Sequence, residues 1–402
     1  MNTSPRILGL GLGAVLLGVA SGITQQESFI ASPDTAGIAD TLVNKSANIR
    51  YGELVLISGG VRDQQLLEDI AIEVRKLGAH PVITISSDRL TRNIFTQVPA
   101  RFDNQEPTFA LRMAETINAM ISVDYRESFG ILADVPAERR AAHAKAFEPV
   151  HKKMLERSVI HTHLGNGLYP TKALAEQFGI TRNELSRIFW RGVNVDYDQL
   201  QATGERVKNI LAAGREVRIT APNGTDLTVE ITRRPIFVSD GVISTDDRYA
   251  GGPACQVWLP AGEVYLTPVT GTAEGTFIAD TFFFQGKRIQ GLTLNFTKGK
   301  MTSMSAKQGD ITALRQLYDA APAEGRDHFA AIDIGINPSV QIPAGSHMVT
   351  WMGAGTISIG IGGNTWAGGD NDVPFDLFAH QTNATLTVDG RKLVDQGTLI
   401  QP

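Results

Sequence analysis

The sequence predicts an α/β N-terminal domain, with an open and mostly parallel sheet, followed by a mixed, mainly antiparallel β domain. Two patterns carry that expectation. Over roughly the first 200 residues, short apolar runs alternate with amphipathic helical stretches, the signature of βαβ units joined by right-handed crossovers. Further along, the helical period nearly vanishes and short strands recur between glycine-rich turns. The 40 glycines among 402 residues exceed average usage, and many fall in the second half, as a turn-rich β region requires. The expected boundaries are 23–213 for the α/β domain and 214–402 for the β domain.

In the first half, Ile38–Val43 reads as a short helix and Glu53–Ser58 (ELVLIS) as the first strand. Asp63 opens a helix that puts Leu66, Ile70, Val74 and Leu77 on one face, Gly78 closes it, and Pro81–Ile85 begins the next strand. A helix near Phe109–Ile117, a strand at Ala119–Val123 and a long charged helix from Pro136 to Arg157 continue the alternation. Val159–Leu164 is another strand, a helix runs from Thr171 to Phe178, and Tyr197–Leu211 is the last helix of this half. The second half starts with Val217–Thr220 and Leu227–Thr232 around an Asn223-Gly224 hairpin signal. Strands then recur at Gln256–Leu259, Val264–Val269, Thr276–Phe284, Leu292–Thr297, Ala330–Ile336, Thr356–Ile361 and Ala384–Val388, with one helix at Ile311–Ala320.

Several function classes are excluded or narrowed. The net charge of −5, with no basic block, gives no nucleic-acid footprint. Arg6 ahead of the apolar run Ile7–Val19, with Gly18-Val19-Ala20 at its exit, reads as an export signal over residues 1–22. It implies a periplasmic or extracellular protein without stable membrane insertion once the signal is cleaved. Cys255 is the only cysteine, so neither an intrachain disulfide nor a thiolate zinc cluster can form. Ser58-Gly59-Gly60 ends a strand but lacks the spacing of a dinucleotide or Walker loop, and no Gly-x-Ser-x-Gly elbow occurs.

Candidate chemistry rests on carboxylates. Glu263 lies between Gly262 and Val264 in an apolar stretch, where an ionised carboxylate is costly unless a cation or several donors meet it. It reads either as a ligand or as a strand-edge glutamate facing water. Asp333 sits inside the apolar Ile332–Ile336 strand, either as a ligand or as a cap on backbone N–H groups. Asp327 with His328, and the loop Gly368–Asp372 followed by Asp376 and His380, complete a set with oxygen and nitrogen donors suited to a divalent cation. His161 and His163 share one strand face, with Asn166 and Tyr169 following, and read as structural polar contacts or as a cleft wall.

The order LPAGEVYLTPVTGTAEGT, IDIGINP, GTISIGIG, GGDNDVPFD and TLTVDG resembles the aminopeptidase T family of metallopeptidases. LVNKSANIRYGELVLISGG and EVRKLGAHPVITISS resemble that family's first domain. The resemblance implies a metallo-aminopeptidase acting on peptides, a homodimer, and one or two divalent ions (zinc, cobalt or manganese), with Glu263 as a ligand. It departs at other ligand positions: Asp333 stands for a second glutamate, Ser358 for a histidine, and Asp376-Leu377-Phe378 for a His-x-Asp pair. The implied metal set is therefore Glu263, Asp333, Asp376 and His380, with Glu263 and Asp333 catalytic. The alternative is a non-catalytic peptide or small-ligand binder built on the same fold.

Overall fold

The computed structural model describes residues 34–400, so the export-signal reading over residues 1–22 lies outside it. A five-stranded parallel sheet runs in the order His80–Ser86, Leu54–Gly60, Ala119–Val123, Ile160–Leu164, Gln256–Leu259. The Leu54–Gly60 strand buries Val55 and Ile57 at alternate positions, as a pleated strand must. The following helix, Gln64–Lys76, packs Leu66, Leu67, Ile70 and Val74 back onto its strands.

A five-stranded antiparallel sheet has the order Asp376–Gln381, Ile357–Gly362, Phe329–Gly335, Glu263–Leu266, Ile236–Ser239. Its three central strands are buried at every residue. Both faces are covered, which explains why these strands read as unbroken apolar runs. A larger eight-stranded sheet runs from Lys300–Gln308 at one edge to Thr398–Leu399 at the other, with the long hairpin Glu274–Phe284 and Lys287–Thr297 beside its first edge. One apolar core is continuous through all three sheets. Among the described residues, no helix is long and apolar enough to cross a membrane.

Several elements escape the periodicity, among them helices Asp88–Gln97, Arg182–Val193 and Thr245–Ala250, and strands Ile236–Ser239, Lys300–Gln308, Asp376–Gln381 and Arg391–Asp395. The Asp376–Gln381 strand follows the Asp/Asn loop, whose composition masks its alternation of Leu377, Ala379 and Gln381 into the core. Gln256–Leu259, expected among the antiparallel strands, instead completes the parallel sheet beside Ile160–Leu164. Four residues carry too little periodicity to name their partner strand.

Helix Tyr197–Ala213 crosses the edge strand Ile236–Ser239 at Gly204, where a Cβ would come within 2.5 Å of Val238 Cγ1. Glycine is the packing solution there, because helix and sheet approach too closely for a side chain. Gly204→Val is expected to cost about 1–3 kcal/mol by overpacking, read as a lower urea midpoint at unchanged slope.

Candidate functional site

The site forms where the parallel sheet hands over to the antiparallel one. Leu259 ends the last parallel strand, Pro260-Ala261-Gly262 cross over, and Glu263 opens the next strand. Gly262 has φ +127°, and a Cβ there would come within 2.6 Å of the Asn337 Cβ, so the crossing requires glycine. Asn337 fastens it, its Nδ2 donating to the Ala261 carbonyl at 2.6 Å.

Tyr265 stands opposite Asp333 and Glu263 opposite Gly335. Glu263 and Asp333 therefore share one face of adjacent strands, offset by two positions. Gly335 leaves open the place a side chain would take, and the Trp351 and Gly353 carbonyls occupy it. That close pass carries Trp351 to the site, where its Nε1 donates to Asn166 Oδ1 at 3.0 Å. Asn166 Nδ2 in turn donates to Glu263 Oε1 at 2.6 Å and to the Pro260 carbonyl at 2.9 Å. Asn166 follows the Ile160–Leu164 strand, at the carboxyl edge of the parallel sheet where open α/β folds gather ligands.

Glu263 is 5% exposed and Asp333 7%. Desolvation raises the Glu263 carboxyl, countered in part by the Asn166 and Trp351 donors. Asp333 is raised by desolvation and then by the neighbouring Glu263 charge. Neither carboxyl gains relief from a lysine or arginine, and Asp333 Oδ1 has no hydrogen-bond partner. Such a pair holds a proton tightly or takes up a cation.

The Asp333 register continues sideways through Ser358 to His380. His380 Nδ1 meets Ser358 Oγ at 2.9 Å, and its ring stacks on Trp351 with centroids 5.2 Å apart. Burial lowers this imidazole to about 4, so it is neutral at ordinary pH. Asp376 starts the same strand four residues earlier, opposite Gly362, and stays solvent-exposed at one side. Desolvation raises its carboxyl to about 7, countered in part by the Gly363 N–H.

The expected ligands thus divide into the pair Glu263 with Asp333, and two side chains on a strand two places away. Among the described residues, no three His, Cys, Asp or Glu side chains converge as a metal site. The other candidates have structural partners. His161 Nε2 and His163 Nδ1 meet the Ser122 hydroxyl at 3.0 and 2.8 Å. Tyr169 donates to Asp63 at 2.8 Å. Asp372 pairs with Lys152, Asp327 with Lys300, and Asn371 is bonded to the Gly325 and Gly362 carbonyls. Trp351 was not singled out by sequence; the glycines spaced around it, at 353 and 355, were the available sign of a close backbone pass.

The family model of the thermophilic metalloproteases (M29) matches residues 33–323. The chain belongs to this family. The match includes Asn166 and Glu263 and stops before Asp333, Ser358 and His380. Wild-type AmpT from Thermus thermophilus superimposes with a TM-score of 0.69 at 18% identity, covering 91% of this chain and 99% of that one. The 2,5-dihydroxypyridine dioxygenase of Pseudomonas putida KT2440 superimposes with a TM-score of 0.59 at 15% identity, covering 93% and 99%. No curated protein matches the sequence significantly.

A metalloprotease family implies a divalent ion. The unpartnered Asp333 oxygen and the uncompensated carboxyl pair fit one such ion, bound through oxygen with water completing its shell.

The raised carboxyls fix a sign. A group whose folded pKa lies above its unfolded value keeps more protons in the native state, so stability falls as pH rises through and above about 4. In chelator-treated protein the melting temperature should decline between pH 5 and 8, and Glu263→Gln should flatten that decline. Equal slopes in the two proteins would contradict the assignment. Asn166→Ala, which strips Glu263 of its shortest donor, should steepen it.

Proposed function

We propose that this chain is an aminopeptidase-like hydrolase of peptides, with one divalent ion held by Glu263 and Asp333. The observation that carries this reading is the pair of buried carboxyls on one sheet face, uncompensated by any basic side chain, in a member of the M29 metalloproteases. An ion bound there would supply Lewis acidity toward a substrate carbonyl.

The chain's own residues do the remaining work. Asn166 fixes Glu263 Oε1 and is itself fixed by Trp351, so the first carboxylate is held by a rigid relay across the sheet junction. Burial keeps bulk water from the pair. His380, neutral and tied through Nδ1 to Ser358, leaves its other ring nitrogen for one hydrogen bond to a bound ligand. Export to the periplasm or beyond, and assembly as a homodimer, belong to the same proposal; they rest on the residue 1–22 pattern and on the family resemblance.

A second reading, a peptide or small-ligand binder without hydrolysis, is favoured by the Ser358–His380 contact. That imidazole is spent on a hydroxyl and a ring stack rather than turned to the carboxyls. The fold alone does not choose between them, since it also matches a protein named as a dioxygenase.

Aminoacyl-nitroanilide turnover with added manganese, cobalt or zinc decides. Activity dependent on added metal, lost at least about 100-fold in Glu263→Gln and in Asp333→Asn, is the expected result. No turnover with any of the three metals, with no metal retained on dialysis, would leave the binder.

A further inference from the structure

Parallel sheets are normally covered on both faces, and their strands are correspondingly apolar. One face of the parallel sheet here departs from that rule. Thr84, Ser58, Ser122 and His163 stand in register across four neighbouring strands, so their side chains share a face. Leu56, Met120 and His161 form the next row of the same face, two residues earlier on each strand. Thr84 is exposed, and Leu56, Ser58, Met120, His161 and His163 are half-buried. The long helix Ala137–Glu156, which connects two of these strands, buries only Val150, too little to seal a sheet face.

Within this face Ser122 Oγ lies 2.8 Å from His163 Nδ1 and 3.0 Å from His161 Nε2. Burial lowers both imidazoles, His161 to about 3, so both rings are neutral at ordinary pH. A hydroxyl has one proton, so it donates to one neutral ring and accepts an N–H from the other. Asp124 sets the direction. A Cβ on Gly165 would meet Asp124 Cβ at 2.6 Å and His163 Nε2 at 3.2 Å, so both crowd the same glycine. The Asp124 carboxylate, held by Arg126 at 3.2 and 3.3 Å, favours a proton on the near nitrogen, His163 Nε2. His163 Nδ1 is then the bare nitrogen that accepts from Ser122, and His161 Nε2 donates to Ser122 Oγ.

We propose that Ser122 is a nucleophile, with His163 as its base, that forms an acyl-enzyme with short-chain carboxylic esters. Such a constellation is recognised by roles and geometry, not by a Gly-x-Ser-x-Gly spacing. Ser122 Oγ bonds to the acyl carbon as its proton passes to His163 Nδ1; the ester C–O bond breaks, and that proton leaves with the alcohol. Water then adds to the acyl carbon and gives a proton to His163. The Oγ–C bond breaks, the acid departs, and the proton returns to Ser122. Asp124 meets the charge that forms on His163, and the His161 N–H meets the charge that forms on Oγ. Ser122 is 7% exposed, which limits the acyl group to a small one, and Leu56 and Met120 give it an apolar floor. The site lies in a different sheet from Glu263 and Asp333 and does not rest on the metallo-hydrolase reading.

Labelling the full chain with a small alkyl fluorophosphonate, with a chelator present, tests this. One adduct per chain should form through an Oγ–P bond with loss of fluoride, and peptide mass mapping should place it on Ser122. The same chelated protein should release nitrophenol from p-nitrophenyl acetate. Ser122→Ala should abolish both reactions, and His163→Gln should slow both at least about 100-fold. In the unaltered protein, no adduct, an adduct on another residue, or an adduct without ester cleavage overturns the proposal without any variant. Ester cleavage that persists in folded Ser122→Ala, or labelling at an unchanged rate in folded His163→Gln, overturns it as well. Adduct and ester cleavage without metal-dependent peptide turnover remove the metallo-hydrolase reading alone; metal-dependent turnover without the adduct removes the serine assignment alone.

Discussion

A carboxyl removed from water must be given a partner, and the Asn166–Glu263 hydrogen bond is the one on which this site depends. Its two ends belong to different sheets. Asn166 stands just beyond a parallel strand, and Glu263 opens an antiparallel one. The bond holds only if the crossing between sheets is fixed, and that task falls to Gly262 and Asn337. Trp351 then locks the amide from its other side, and it reaches the amide because Gly335 leaves room for its backbone. Packing, turn chemistry and electrostatics thus meet in one short relay.

The same arrangement separates two kinds of polar residue. Asp372, His161 and His163 are met by ordinary partners within the protein, and the charge of Asp327 is met by Lys300. Asp333 is not: one oxygen is buried and unmet, and its nearest charge is another carboxyl. Natural proteins rarely leave a buried acceptor unpaired without use for it. The pair is therefore distinguished by what it lacks.

Much of the fold was legible in the sequence, because long elements announce their period. The ELVLIS strand and the helix bearing Leu66, Ile70 and Val74 form as their spacing requires. The Glu263 and Asp333 strands were legible too, as apolar runs interrupted by a single acid. What could not be read was lateral order. Which strand lies beside which depends on contacts between residues far apart in the chain, so Gln256–Leu259 gave no sign that it joins the parallel sheet. Nor could sequence reveal that His380 faces Ser358, or that Asn166, a loop residue, would meet Glu263 across 97 positions of chain.

The transverse row Phe237, Tyr265, Asp333, Ser358 and His380 draws one residue from each strand of its sheet. Backbone pairing holds that row in place whatever side chains it bears, much as a pegboard keeps its holes when the pegs are exchanged. A lineage carrying such a sheet can replace an imidazole by a hydroxyl at one hole and an apolar ring by an imidazole at another, one codon at a time, with no strand slipping. Chemical repertoire and architecture are then inherited on separate ledgers, and proteins that share this scaffold are free to differ in what they do with it.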